Sequence, residues 1–316
     1  MKTNTLLLLL LISLSAFSKT SPDPAAPKLY TSDIENFYTA FDLVLKDTAN
    51  ANQIFKEKYF SVGTKGLKDF YKLKINDLDK FSRFIIKHQE FYKSIRKDIT
   101  NIDDLKKKIY ANNKAFKDIY PDAVFPDIYF VVGRFSSNGT ISKRGLLIGI
   151  EILSLTEESD TEKWHQGMLK IIMKRDHIPV TVAHELVHFN QGKTGETTLL
   201  SKSLREGAAE FIAELICGET DGDYTNFSGK EQRIWEDFQK VKDEQLWGLW
   251  SSWVRESDER PRNAGYWTGY LICKSYYEQR EDKSLALKEI LDIKDSQEFY
   301  DKSKIEVYLK RDFFNK

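Results

Sequence analysis

Cysteine is scarce. Cys217 and Cys273 are the only two in 316 residues, too few for a disulfide framework, and neither stands in a C-x-x-C or zinc-knuckle spacing, so nothing points to metal binding through sulfur. The two thiols either pair in an oxidising compartment or lie buried and free. Net charge is also missing. Lys plus Arg and Asp plus Glu are both 48, which leaves no field to draw the chain to nucleic acid or to an anionic membrane. Past the first twenty residues no stretch is apolar for long enough to cross a bilayer. There is no internal repeat and no low-complexity tract beyond the leader. Histidine is sparse too, with five in all.

What is present is enough apolar and aromatic side chain, 41% and 13%, to bury a substantial core and offset chain entropy. Residues 1–18 read as a signal peptide. Lys2 precedes an apolar run from Leu6 to Phe17, and Ala16 and Ser18 keep an A-x-S spacing. No cysteine follows that could take a lipid, so cleavage near Ser18 and export to the periplasm or the medium is the expected fate, an uncleaved anchor being the alternative. A Pro-rich linker occupies 19–29. From 30 to 118 the pattern is helical. Phe37, Phe41 and Val44 recur at helical spacing, as do Phe81, Phe84, Ile85 and His88, which makes His88 a core residue. A β-rich stretch follows: 124–135 and 145–153 are apolar runs separated by the turn signal Asn138-Gly139, and together they predict a hairpin. Residues 119–218 then form a core with this sheet, and 219–316 form a helical C-terminal part. Five of the six tryptophans fall between Trp235 and Trp267. With Phe238, Val241 and Val254 they keep helical spacing and read as core.

One decapeptide concentrates the chemistry: TVAHELVHFN, 181–190. His184 and His188 lie one above the other on a helix. There they are either two satisfied core histidines or two corners of a zinc tetrahedron with bonds of about 2.0–2.1 Å. Val182, Leu186 and Phe189 fall on another face, free to pack inward. Glu185 sits on the flank of the histidine side, where it can take a proton from a metal-bound water. A third ligand appears in SLREGAAEFIAELICG, 203–218, as Glu206, next to a glycine that permits close helix approach. The turn-rich NQGKTGET lets this helix fold back on the first. His165 and His177 stand outside any ligand spacing and read as surface or structural.

At these residues the chain resembles the gluzincin zinc metallopeptidases, and more closely the bacterial zinc-dependent protease family in which HExxH is followed by E-G-x-A-E, here Glu206-Gly207-Ala208-Ala209-Glu210. The resemblance implies an α+β, mostly helical fold with a zincin-like small antiparallel sheet packed on the HExxH helix. It implies one Zn2+ on His184, His188 and Glu206, Glu185 as general base, and Glu210 holding a liganding histidine from behind. Asn190 stands where those peptidases usually carry an apolar residue. In similar proteins a G-Y-x-x-G-Y segment lies across the cleft; here it makes Tyr266 the candidate for the oxyanion, unless these tyrosines simply pack helix on helix. The expected function is therefore an exported zinc metallopeptidase acting on peptide or protein substrates. The alternative is a non-catalytic peptide- or partner-binding surface protein on a degenerate scaffold.

Overall fold

The computed structural model describes residues 20–162, 164–251, 257 and 260–312. The expected signal peptide 1–18, and Trp253 and Val254 of the tryptophan stripe, lie outside the described residues. Four strands, β1 (Leu29–Tyr30), β2 (Ile128–Val131), β3 (Gly139–Ser142) and β4 (Gly145–Gly149), form one sheet in the order β1-β2-β4-β3. The helices that matter to it are α1 (Ser32–Val44), α2 (Lys65–Phe70), α3 (Leu78–Lys87), α4 (Asp103–Ile119), α5 (Ile178–Asn190), α6 (Leu199–Cys217), α7 (Glu231–Val241) and α8 (Ala264–Glu278). The α+β, mostly helical expectation stands. So do the apolar stripes: Phe37, Phe41 and Val44 of α1 and Phe81 and Ile85 of α3 are buried, with His88 packed on Phe84 and Trp164. Trp235, Trp250 and Trp267 join the same core.

The sheet corrects two expectations. It is mixed, not antiparallel, because β2 pairs parallel with both β1 and β4, and only β3 runs antiparallel to β4. The two apolar runs therefore do not form a hairpin with each other. The hairpin is β3–β4, its turn is Lys143-Arg144, and Asn138-Gly139 opens β3. The reason lies in coverage. Every residue of β2 and β4 is buried, as befits central strands with helices on both faces. A glycine on each face reports what covers it: a Cβ on Gly149 would lie 3.3 Å from Phe70 of α2, and one on Gly139 would lie 2.5 Å from Glu185 of α5.

Where the chain leaves β2 its backbone polar groups are satisfied by side chains instead of strands. Tyr59 donates its hydroxyl to the Val132 carbonyl at 2.7 Å and accepts from the Val132 N–H, while Tyr92 donates to the Gly133 carbonyl. Glu151, fully buried, accepts from the N–H groups of Gly133 at 2.8 Å and Phe135 at 3.0 Å. These bonds hold Phe135 at a φ of 61°, a left-handed value that is strained for an aromatic residue. Burial outweighs the two donors and pushes the Glu151 carboxyl up to about 7.

The folded state thus holds a proton there that the unfolded chain releases near pH 4.5. The resulting stability is fully present below that pH and is lost as pH rises through 7, a change of about 3 kcal/mol for a shift of this size. Urea unfolding from pH 4 to pH 8 should show this loss in the wild type, whereas Glu151→Gln should be less stable at low pH and lack that part of the slope. A slope identical in both proteins removes Glu151 from the account.

Helix α5 is buried on every side from Ile178 to His188, which is why its sequence is apolar all round rather than striped. Pro179 stands in its first turn, where the missing N–H costs nothing. Asn190 ends it with a clasp: its side chain accepts from the Val124 N–H at 2.8 Å and donates to the Val124 carbonyl at 3.0 Å, tying the helix end to the segment that enters β2. An apolar residue cannot make this pair. The helix packs on β3 and β4 on one side and on α4 and α6 on the other. Helix α6 begins at Thr198, whose hydroxyl accepts from the Ser201 N–H, and stops at Gly218 with φ of 83°. Its closest neighbour is α8. A Cβ on Gly207 would lie 2.0 Å from the Gly269 backbone, and one on Gly269 would lie 1.7 Å from the Ser203 carbonyl oxygen. The glycine of E-G-x-A-E therefore opens the way to α8.

Candidate metal centre

Because α5 carries its histidines one turn apart and α6 crosses beside it, three ligand atoms meet. His184 Nε2 lies 3.0 Å from His188 Nε2, His188 Nε2 lies 3.0 Å from Glu206 Oε2, and His184 Nε2 lies 3.7 Å from that oxygen. A tetrahedral zinc ion with bonds of about 2.0–2.1 Å has ligand-to-ligand edges of about 3.3 Å. The three separations bracket that value.

The surroundings determine which ring atoms face inward. His188 Nδ1 is 2.8 Å from Gln191 Oε1, and the Gln191 amide is oriented by donating from Nε2 to the Arg205 carbonyl at 2.7 Å. The amide oxygen can only accept, so Nδ1 carries the proton and Nε2 presents a lone pair. His184 Nδ1 lies 3.3 Å from Glu210 Oε1, off the line of a hydrogen bond, and Glu210 in turn accepts from the Gly222 N–H at 3.0 Å. With His188 Nδ1 turned to Gln191 and His184 Nδ1 facing Glu210, the two Nε2 atoms and a carboxylate oxygen converge on one point. That arrangement repels itself unless a proton or a cation sits in the middle, and its donor set suits zinc. Without metal the balance falls to protons. Burial opposes charge on His184, but Glu206 and Glu210 push its pKa well above the usual range, while Glu206, despite its burial, is held far below the usual carboxylate value by both histidines.

Glu185 and Tyr266, both expected here, line the same cleft as the three ligand atoms, a cavity of about 1540 Å³. Glu185 is packed against Gly139 of β3, and its oxygens lie outside the ligand cluster. Burial raises its pKa against the pull of the two histidines. Tyr266 is half-buried with its ring 5.2 Å from that of Trp247, and burial followed by the carboxylates of Glu206 and Glu210 pushes its pKa well above 10.

Sequence reasoning missed Gln191 and a second group around Asp221. Asp221 accepts from Thr181, lies 3.2 Å from His177 Nε2 and 3.3 Å from Asn138 Nδ2, and so ties the loop after α6 to α5 and to the start of β3. His177 is structural, as expected, but inside this hub. The only hint in the sequence was Thr181, one turn before His184 and on its face. Removal of the Gln191 support frees the His188 ring: Gln191→Ala should weaken zinc affinity by about 10- to 100-fold with little change in unfolding temperature, as titration against a chromophoric chelator will show. Unchanged affinity would mean that α5 alone orients the ring.

Fold and site together define a mostly helical α+β protein in which His184, His188 and Glu206 cluster on the lining of a cleft. A family model described as Gliding motility protein GldB matches residues 18–247, more than two-thirds of the chain, and the chain belongs to that lipoprotein family. Neither the curated proteins nor the solved structures hold a match to it. The family corrects the expectation of a gluzincin-type metallopeptidase, and with it the hydrolase assignment. The physical reason is the reach of the motif. HExxH and E-G-x-A-E together occupy a few turns of two helices, a spacing that brings ligand-type atoms together whether or not hydrolysis follows, whereas the family match runs through the sheet and most of the helices. Tyr266 and the glycine contact on α8 lie beyond the matched residues.

Proposed function

We propose that this chain is an exported, non-catalytic component of gliding motility that holds one zinc ion on His184, His188 and Glu206 and offers the adjoining cleft to a partner protein. The reading is supported by one observation above others: three ligand atoms lie 3.0, 3.0 and 3.7 Å apart on the lining of a large cleft, inside the stretch that the GldB family model matches. When bound there, zinc supplies positive charge and one coordination position that the chain does not fill. The chain's own groups orient the histidines through Gln191 and Glu210 and shape the cleft with β3. Export is supported by the leader-like residues 1–18 and by the family's lipoprotein character; the two cysteines stand at 217 and 273, in α6 and α8. No helix among the described residues is long and apolar enough to cross a membrane.

The test is made in gliding cells carrying the double variant His184→Ala, His188→Ala in place of the native copy. Cell displacement should be lost while the protein stays exported at its normal level, and the purified wild type should leave a peptide library uncut. Normal gliding by the variant, or turnover of the library, overturns the reading.

A further inference from the structure

The chain as a whole carries no net charge, but its charge is unevenly placed. Between residues 56 and 75 stand six lysines, Lys56, Lys58, Lys65, Lys68, Lys72 and Lys74, against two acids, Glu57 and Asp69. This stretch belongs to a pair of helices: Ala51–Phe55 runs on into a π-helical turn, Lys56–Phe60, and α2 runs on likewise into Tyr71–Ile75. One side of the pair is fixed inward. Phe55, Tyr59, Leu67, Phe70 and Ile75 are buried, and a Cβ on Gly66 would lie 2.2 Å from the Tyr129 ring. The lysines take the other side. Lys65, Lys68 and Lys72, spaced i, i+3 and i+7, are exposed, as are Lys56 and Lys58, while Lys74 lines the cleft.

The neighbouring acids do not cancel them. Asp69 pairs at 3.2 Å with Arg144, which follows the exposed Lys143 at the β3–β4 turn. On α1, which packs on this pair, Asp33 is buried against Thr64 and Asp42 pairs with Arg96. Asp77 and Asp79, at the start of α3, pair with Lys80 and Arg83. Glu35, Asp47 and Glu57 remain as exposed acids, three against the six exposed lysines of the helix pair and the adjoining turn.

Two apolar residues stand among the lysines outside the core. Val62 is 58% exposed and Leu73 52%, and the rings of Phe60 and Tyr71, 4.7 Å apart between centroids, tie together the segments that carry them. This combination is missing elsewhere. Helix α4 sets five lysines against Asp103, Asp104 and Asp118 and exposes no large apolar residue. Val307 is more exposed, but its helix, Ile305–Asp312, carries Glu306 and Asp312 beside Lys310 and Arg311. Lysines around apolar tips suit an anionic bilayer, where ammonium groups meet lipid phosphates and the tips enter the acyl boundary. A nucleic acid offers those tips nothing.

We propose that this face is a peripheral membrane-contact surface that sits on anionic phospholipid through Lys65, Lys68 and Lys72, with Val62 and Leu73 as its apolar tips. The lipoprotein character of the family agrees with it. None of these residues belongs to the ligand cluster, so the proposal stands or falls apart from the zinc reading.

The exported chain is mixed with vesicles of phosphatidylcholine alone, or of equal parts phosphatidylcholine and phosphatidylglycerol, and binding is read by flotation. It should bind the anionic vesicles, more weakly as salt rises, and leave the neutral ones unbound. Lys65→Gln, Lys68→Gln and Lys72→Gln combined should weaken binding by about 100-fold, at about fivefold for each lysine near the surface. Lys107→Gln, Lys108→Gln and Lys114→Gln combined, an equal change of charge on α4, should weaken it by less than about fivefold. Val62→Ser with Leu73→Ser should weaken it about tenfold at unchanged charge. Equal binding to both vesicles, equal loss in the two lysine triples, or indifference to the serine pair overturns the proposal. So does tighter binding to soluble polyglutamate than to the anionic vesicles, which would make the partner an acidic protein.

Discussion

Alanine at His184 or at His188 is expected to leave the purified protein essentially free of zinc after mild dialysis, because two ligands hold such an ion poorly where three would hold it well. Glu206→Ala does the same. Glu210→Ala behaves differently: its carboxylate stands 3.3 Å behind His184 Nδ1, outside the trio at the ligand point, so its loss loosens one ring and weakens affinity by about 10- to 100-fold. Metal content by atomic absorption, measured on all four variants beside the wild type, separates the two classes. Retention of a full equivalent in both histidine variants would remove the site, and a metal-free Glu210→Ala beside a loaded Glu206→Ala would exchange the roles of the two glutamates.

The second large effect concerns the crossing of α6 and α8. A methyl group at Gly207 would stand 2.0 Å from the Gly269 backbone, where no side chain can swing away to make room. Gly207→Ala gains up to about 1 kcal/mol of helix propensity, yet the overpacking outweighs it, and a net loss of about 3 kcal/mol is expected, or about 6 to 12 °C in melting temperature. Gly248→Ala is the matched control: it also lies in a helix, Trp247–Ser251, and nothing stands within 4 Å of its added Cβ. Equal melting temperatures for the two variants would mean that the helices slide apart at little cost.

The site was legible in the sequence because its parts are local. Histidines four apart on α5 and glutamates four apart on α6 face one way by helical geometry alone, and the turn-rich link between them spans few residues. The resemblance placed Glu210 behind a histidine, and it stands there. Gln191 was not legible, since its value comes from a contact with the Arg205 carbonyl, and no spacing rule reports such a contact. Nor was Asp221, which gathers Thr181, His177 and Asn138 from three separate segments. The sheet was misread for a related reason. An apolar run shows that a strand is buried but not the direction in which its neighbour runs, and direction here is set by β3 being inserted between β2 and β4 in sequence while lying outside them in space. Function was misread because a metal-binding spacing says which atoms meet, whereas what happens to a bound segment depends on the rest of the fold.

Helix α5 has no exposed face between Ile178 and His188, and the Asn190 clasp closes its far end. Its backbone amides are held in the helix ladder and covered by the sheet, α4 and α6, with only the His184–His188 side bordering the cleft. Local fraying, which lets surface helices exchange quickly, has little room there, so α5 is expected among the slowest-exchanging segments of the chain. The histidines are thus mounted on a part of the molecule expected to be among the last to loosen, so whatever enters or leaves the cleft does so with the helix beneath it still in place.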